Sequence, residues 1–95
     1  MTIKFSVFYP KGEDTTFDHD YYRDKHVPLA VETWGVEKFE IDKGINGPHE
    51  GAVHFYFDSQ DDLNAALGNP GTGAVMEDVA NYTNITAITQ ISEVA

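Results

Sequence analysis

The chain has no cysteine, only six lysines and arginines together, and no long apolar run. Without thiols it can build no disulfide framework, iron–sulfur cluster or cysteine nucleophile, and any zinc site would need His and carboxylate ligands alone. Sixteen Asp and Glu stand against the six basic residues, giving a formal charge of -10. That charge repels phosphate backbones and anionic lipid surfaces, so no nucleic-acid or membrane partner is expected. No stretch approaches the roughly 18 apolar residues of a membrane span. The opening MTIKFSVFYPKGED also lacks the basic-then-apolar pattern of a secretory leader. Together these features predict a soluble, cytoplasmic protein.

What is present is 95 residues of which 41% are hydrophobic and 13% aromatic, enough for one core and one domain spanning 1–95. A chain this short buries only about two-thirds of the surface it exposes when unfolded, which favours association with a second copy. Ile3 to Tyr9 is dense in β-branched and aromatic residues and stops at Pro10, the pattern of a strand. Asp18 then caps a helix, with Phe17 and Tyr22 placed to staple its start. The helix runs to Trp34 and ends at Gly35, but Pro28 has no N–H and crowds the carbonyl of Asp24, so a kink or restart is expected there.

Val36 to Ile45 and Ala52 to Phe57 read as a hairpin through Asn46-Gly47, and Ser59 with Asp62 opens a short second helix stopped by Gly68 and Pro70. Val75, Met76, Val79 and Tyr82 recur at helical intervals, and Ile85 to Val94 reads as a last strand. The order β-α-β-β-α-β is the ferredoxin-like, split βαβ plan of the α+β class: a four-stranded antiparallel sheet with helices on one face.

Strand periodicity divides the sheet residues between two faces. Ile3, Phe5, Val7, Val53, Phe55 and Phe57 belong under the helices, whereas Lys4, Ser6, Phe8, Ala52, His54 and Tyr56 belong on the uncovered side. Either Ile88 and Gln90 or Ile91 joins them from the last strand. Such a face is too apolar for an ordinary wet surface and too polar for a dry core. A second copy closing over it would make a barrel-like homodimer with a chamber between the sheets; the alternatives are a solvated face or another partner.

The stretch FDHDYYRDKHVPLA, Phe17 to Ala30, resembles the EthD family. In that family the first strand ends in Tyr-Pro, as Tyr9-Pro10 does here. An Asp-capped helix then carries a tyrosine pair, a histidine and Pro-Leu, matching Tyr21, Tyr22, His26, Pro28 and Leu29. Asp78-Val79 in the later helix also fits the family pattern. The resemblance implies the dimeric α+β barrel fold. That wider group includes cofactor-independent monooxygenases, muconolactone isomerases, fungal dehydratases and decarboxylases, and haem-degrading enzymes. EthD members themselves are often labelled reductases without an established reaction, so the fold transfers more firmly than the chemistry.

Tyr22, His26 and Leu29 share one helical stripe, and Pro28 disrupts the backbone beside the histidine. An imidazole titrates near neutrality, which suits general acid or base work. His26 is therefore the candidate catalytic residue, set against a purely structural role capping the carbonyls that Pro28 frees. Tyr22, His54 and Tyr56 are candidate substrate-binding residues, with Tyr9 and Trp34 as walls of the same pocket. For His54 and Tyr56 the competing reading is a cross-strand pair at a dimer seam, and for Tyr9 and Trp34 it is core packing.

His19 and His26, seven apart beside Asp18 and Asp20, miss the i, i+3 or i+4 spacing of helical metal pairs, so no metal is expected. The glycines of Gly68 to Gly73 match neither a Walker loop nor GxGxxG, and no nucleotide or other cofactor is expected. The expected function is binding of a hydrophobic or aromatic small molecule by a homodimer, either with oxidation, dehydration or isomerisation through His26 or as a non-catalytic accessory.

Overall fold

Pro28 shapes the first helical segment without breaking it. In the computed structural model, which describes residues 1–95, a single α-turn at His19–Tyr21 (α1) widens into a π-helical turn at Tyr22–His26 and continues as an α-helix at Val27–Trp34 (α2). The Val27 N–H reaches back to the Tyr22 carbonyl, one residue farther than an α-helix would. A π-turn adds one residue, which accommodates the proline ring by expansion where the sequence predicts a kink. The same expansion leaves Tyr22 and His26 both buried.

The ends follow local chemistry. The Asp18 carboxylate accepts from the Tyr21 N–H at 3.0 Å, and the Phe17 and Tyr22 rings lie 4.9 Å apart as the staple. Gly35 closes α2 in the left-handed conformation, φ 66°, where a residue without Cβ is free of strain.

Four strands, Ile3–Pro10 (β1), Lys38–Lys43 (β2), His49–Phe57 (β3) and Ile88–Glu93 (β4), form one antiparallel sheet in the order β2-β3-β1-β4. Helices Gln60–Leu67 (α3) and Thr72–Asp78 (α4), with a 3-10 turn at Val79–Asn81, complete the helical layer. The Ser59 hydroxyl accepts from the Asp62 N–H at 3.1 Å and caps α3. The fold is α+β and ferredoxin-like, as the element order implies. No helix is long and apolar enough to cross a membrane.

Register sorts the two faces. Phe5 pairs with Phe55 and Val7 with Val53, and these residues pack with Tyr22, Val27, Ala30, Leu63, Val75 and Tyr82 in the core. On the other face Lys4 pairs with Tyr56 and Ser6 with His54. Phe8 pairs with Ile88 and Ser6 with Gln90, so Ile88 and Gln90 join the uncovered face while Ile91 lies opposite Phe5.

Strand ends differ from the sequence reading. β4 begins at Ile88 because Ile85 is committed to the core and Thr83 is held by its hydroxyl to the Thr16 carbonyl at 2.6 Å. β2 is shorter than Val36 to Ile45, since Val36 is buried beyond the Gly35 cap. β3 begins at His49, earlier than Ala52, because Gly51 still pairs with Tyr9 and with Lys43.

Candidate functional site

The π-turn carries His26 to the edge of α4, where its Nδ1 lies 2.8 Å from Oδ2 of Asp78. Asp78 is the last residue of α4, and its other oxygen accepts from the Tyr21 hydroxyl at 2.7 Å and the Asn81 side-chain amide at 2.9 Å. Burial alone would raise the Asp78 carboxyl, but the hydrogen bonds from Tyr21, Asn81 and His26 outweigh it and hold the group below its ordinary value. Asp78 is therefore ionised near neutrality. An ionised carboxylate can only accept, so the Nδ1 atom of His26 carries the proton and Nε2 presents a lone pair.

Burial lowers the His26 pKa below its ordinary value, and the opposing pull of Asp78 does not restore it. The ring is thus neutral at pH 7. It stacks on Tyr22 with centroids 5.5 Å apart and leans on Tyr82 at 4.5 Å. Behind it the Tyr9 and Tyr82 hydroxyls share a buried hydrogen bond of 2.7 Å, and burial raises the pKa of both phenols. The Tyr22 hydroxyl is buried without a hydrogen-bond partner, and burial raises its pKa as well.

His26 borders an apolar cavity of about 180 Å³ between the helices and the sheet. Phe5, Val7, Val53 and Phe55 line it from the sheet, and Ala30, Trp34, Val75 and Val79 from the helices. Of its thirteen lining residues only His26 and Thr89 are not hydrophobic, and the polar atoms of Tyr9 and Trp34 are already bonded to the Tyr82 and Thr72 hydroxyls, so polar recognition inside it falls chiefly to His26 and Thr89. Nδ1 is committed to Asp78 and Nε2 has no protein partner, which leaves that nitrogen for whatever enters. An apolar cavity of about 150 Å³ is enough to take a benzene-sized ring. A larger groove of about 570 Å³ lies on the far side of Trp34, but it is open and lined by Lys38, Asp58 and Asp62, and no buried imidazole reaches it.

Tyr9 and Trp34 border the cavity with His26, whereas Tyr22 lies behind the imidazole as its stacking partner. His54 and Tyr56 stand on the opposite face of the sheet, so the β-layer separates them from His26. His54 there bridges the Ser6 hydroxyl at 2.7 Å and the Asp42 carboxylate at 2.9 Å. Tyr56 donates to Glu40 under the Lys38 ammonium. The six candidates thus form two groups. His19 pairs with Glu50 at 3.0 Å and His26 with Asp78, so these two histidines serve different carboxylates.

In the sequence Asp78 stands only as part of the Asp78-Val79 family pattern, with no role attached to it. The signal was there: it is a carboxylate on the same helical stripe as Val75 and Tyr82, both buried, where a charge needs a partner.

The EthD domain profile matches residues 10–86. The chain belongs to the EthD family. An EthD-like protein from Ralstonia eutropha JMP134 is 34% identical, over 97% of this chain and 90% of its own, with a TM-score of 0.89. The EthD fold is shared more widely. A dimeric protein of unknown function and ferredoxin-like fold from Bacteroides fragilis NCTC 9343 is 17% identical, covering 98% and 96% of the two chains, with a TM-score of 0.63. SnoaB, a cofactor-independent oxygenase from Streptomyces nogalater, is 10% identical over 99% and 93%, with a TM-score of 0.69. A search of the curated proteins finds no match.

Proposed function

We propose that this EthD protein is a homodimeric enzyme that binds a small hydrophobic, aromatic molecule in the cavity beneath its helices and removes a proton from it with His26. The observation that carries this reading is the pairing of His26 with Asp78: one nitrogen is fixed to a carboxylate, and the other is free at an apolar cavity. A neutral imidazole so oriented is a general base near neutral pH. The proton of an acidic O–H or C–H group would move to Nε2, and the imidazolium would sit against the Asp78 carboxylate. Returning that proton to another carbon gives isomerisation, and giving it to a departing hydroxide gives dehydration. Where a C–H group loses the proton, the carbanion would instead give an electron to dioxygen and join the resulting superoxide through a new C–O bond, and the hydroperoxide, protonated by the imidazolium, would lose water to leave a carbonyl; the likeness to a cofactor-independent oxygenase favours this reading.

The dimer would form on the uncovered sheet face, where Phe8, Ala52, His54, Tyr56 and Ile88 lie together, and the dimeric state of a structural neighbour supports it. His54 and Tyr56 would then act at the seam.

The test is deuterium exchange from solvent into cyclic 1,3-diketones and phenols, followed by NMR. The native protein is expected to accelerate exchange, and His26→Gln, shown folded and of unchanged oligomeric state, to lose the acceleration. Equal rates in both proteins would remove the catalytic assignment. Binding with no exchange or turnover would leave a carrier.

A further inference from the structure

We propose that Trp34 is the partition that limits ligand length in this protein. Trp34 is the only residue that borders both the apolar cavity beside His26 and the larger polar groove lined by Lys38, Tyr56, Asp58 and Asp62. The indole therefore stands between the roughly 180 Å³ reached by the histidine and the roughly 570 Å³ beyond. The inference rests on reading the cavity as the ligand site, and goes beyond it by assigning what decides ligand size.

The indole is fixed from several sides. Its Nε1–H donates to the Thr72 hydroxyl at 2.9 Å, and that hydroxyl donates in turn to the Ala66 carbonyl at 3.3 Å. The ring also meets Phe55 and Phe5 edge-on, with centroids 5.3 and 6.2 Å apart. Trp34 is the last residue of α2, and the chain that follows it, Gly35 to Lys38, continues as the groove wall. In this arrangement the cavity accepts a single apolar ring with its acidic group at His26, and a ligand one ring longer strikes the indole. With the indole removed, cavity and groove become continuous, and a longer molecule can place its second ring along the polar groove.

Calorimetric titration of the native protein, Trp34→Ala, Trp34→Phe and Thr72→Val with phenol and with 4-hydroxybiphenyl tests this. The native protein is expected to prefer phenol by about tenfold or more, since a pocket discriminates against added apolar bulk on that scale. Trp34→Ala should reverse the preference. Trp34→Phe and Thr72→Val, which disturb packing less, should move it in the same direction by smaller amounts, so the proposal stays testable if the alanine variant does not fold. A preference unchanged in every folded variant, including binding of neither compound, overturns the partition. If phenol fails to bind the native protein while Trp34→Ala gains 4-hydroxybiphenyl, the partition stands and the reading of the native cavity as a ligand site falls.

Discussion

His26 and Asp78 lie 52 positions apart in the chain, yet their side chains meet at 2.8 Å where the π-turn of the first helical segment faces the end of α4. The contact joins the two halves of the split βαβ plan and fixes the imidazole tautomer. Asp78→Asn keeps the shape but lets the ring turn over or shift its proton, so it should lower turnover in the exchange assay by a large part of the His26→Ala effect. That effect is expected to be about 10²- to 10⁴-fold, the usual contribution of a general base. Proton NMR of the His26 ring would show the tautomer change directly. A fully active Asp78→Asn protein would leave Asp78 with no part in orienting the base.

Acid stability should show two steps. His26 has a folded pKa below its ordinary 6.5, so the unfolded chain binds its proton more readily. The stability associated with the neutral ring is present above pH 6.5 and is lost as pH falls through that value toward the lowered one. Asp78 is also lowered, from 3.8, so its contribution persists until the pH drops below that value. Urea midpoints measured across this range should fall below pH 6.5 in the native protein. In His26→Gln the first step should vanish and the second remain.

Tyr22 and Tyr82 should respond oppositely to loss of the hydroxyl. The Tyr22 hydroxyl is buried without a partner, so Tyr22→Phe should stabilise by about 1 kcal/mol. In a domain of this size that raises Tm by about 4–8 °C. Tyr82→Phe strands the Tyr9 hydroxyl in the core and should cost about 1–3 kcal/mol. Thermal melts of the two variants side by side decide the matter.

Ile88 projects from the uncovered sheet face and is 52% exposed in the single chain. Ile88→Lys should therefore leave the monomer's fold intact while putting a charge into the proposed seam. Sedimentation equilibrium at micromolar concentration is expected to give a dimer for the native chain and a monomer for the variant. A native monomer would remove the dimer.

Gly35 offers a purely conformational test. Its φ is 66°, and a Cβ there would meet nothing within 4 Å. Gly35→Ala should cost about 1–2 kcal/mol, the penalty of holding an L-residue in the left-handed region. A cost near zero would mean that the end of α2 readjusts.

Much was legible along the chain because it depends on near neighbours. Asp18, Phe17 and Tyr22 announce a helix start within five residues, and Val53, Phe55 and Phe57 announce a buried strand face by alternation. The sequence by itself determined the element order, the α+β class, the two faces of the sheet and His26 as the histidine beside a disrupted helix, all of which follow from periodicity, capping and the missing proline N–H. Only the tertiary structure decided that Asp78 is the partner of that histidine, that Tyr9 and Trp34 share its cavity, and that the β-layer keeps His54 and Tyr56 away from it. Contacts between distant segments are set by how helices pack across a sheet, and no local pattern of residues encodes that distance.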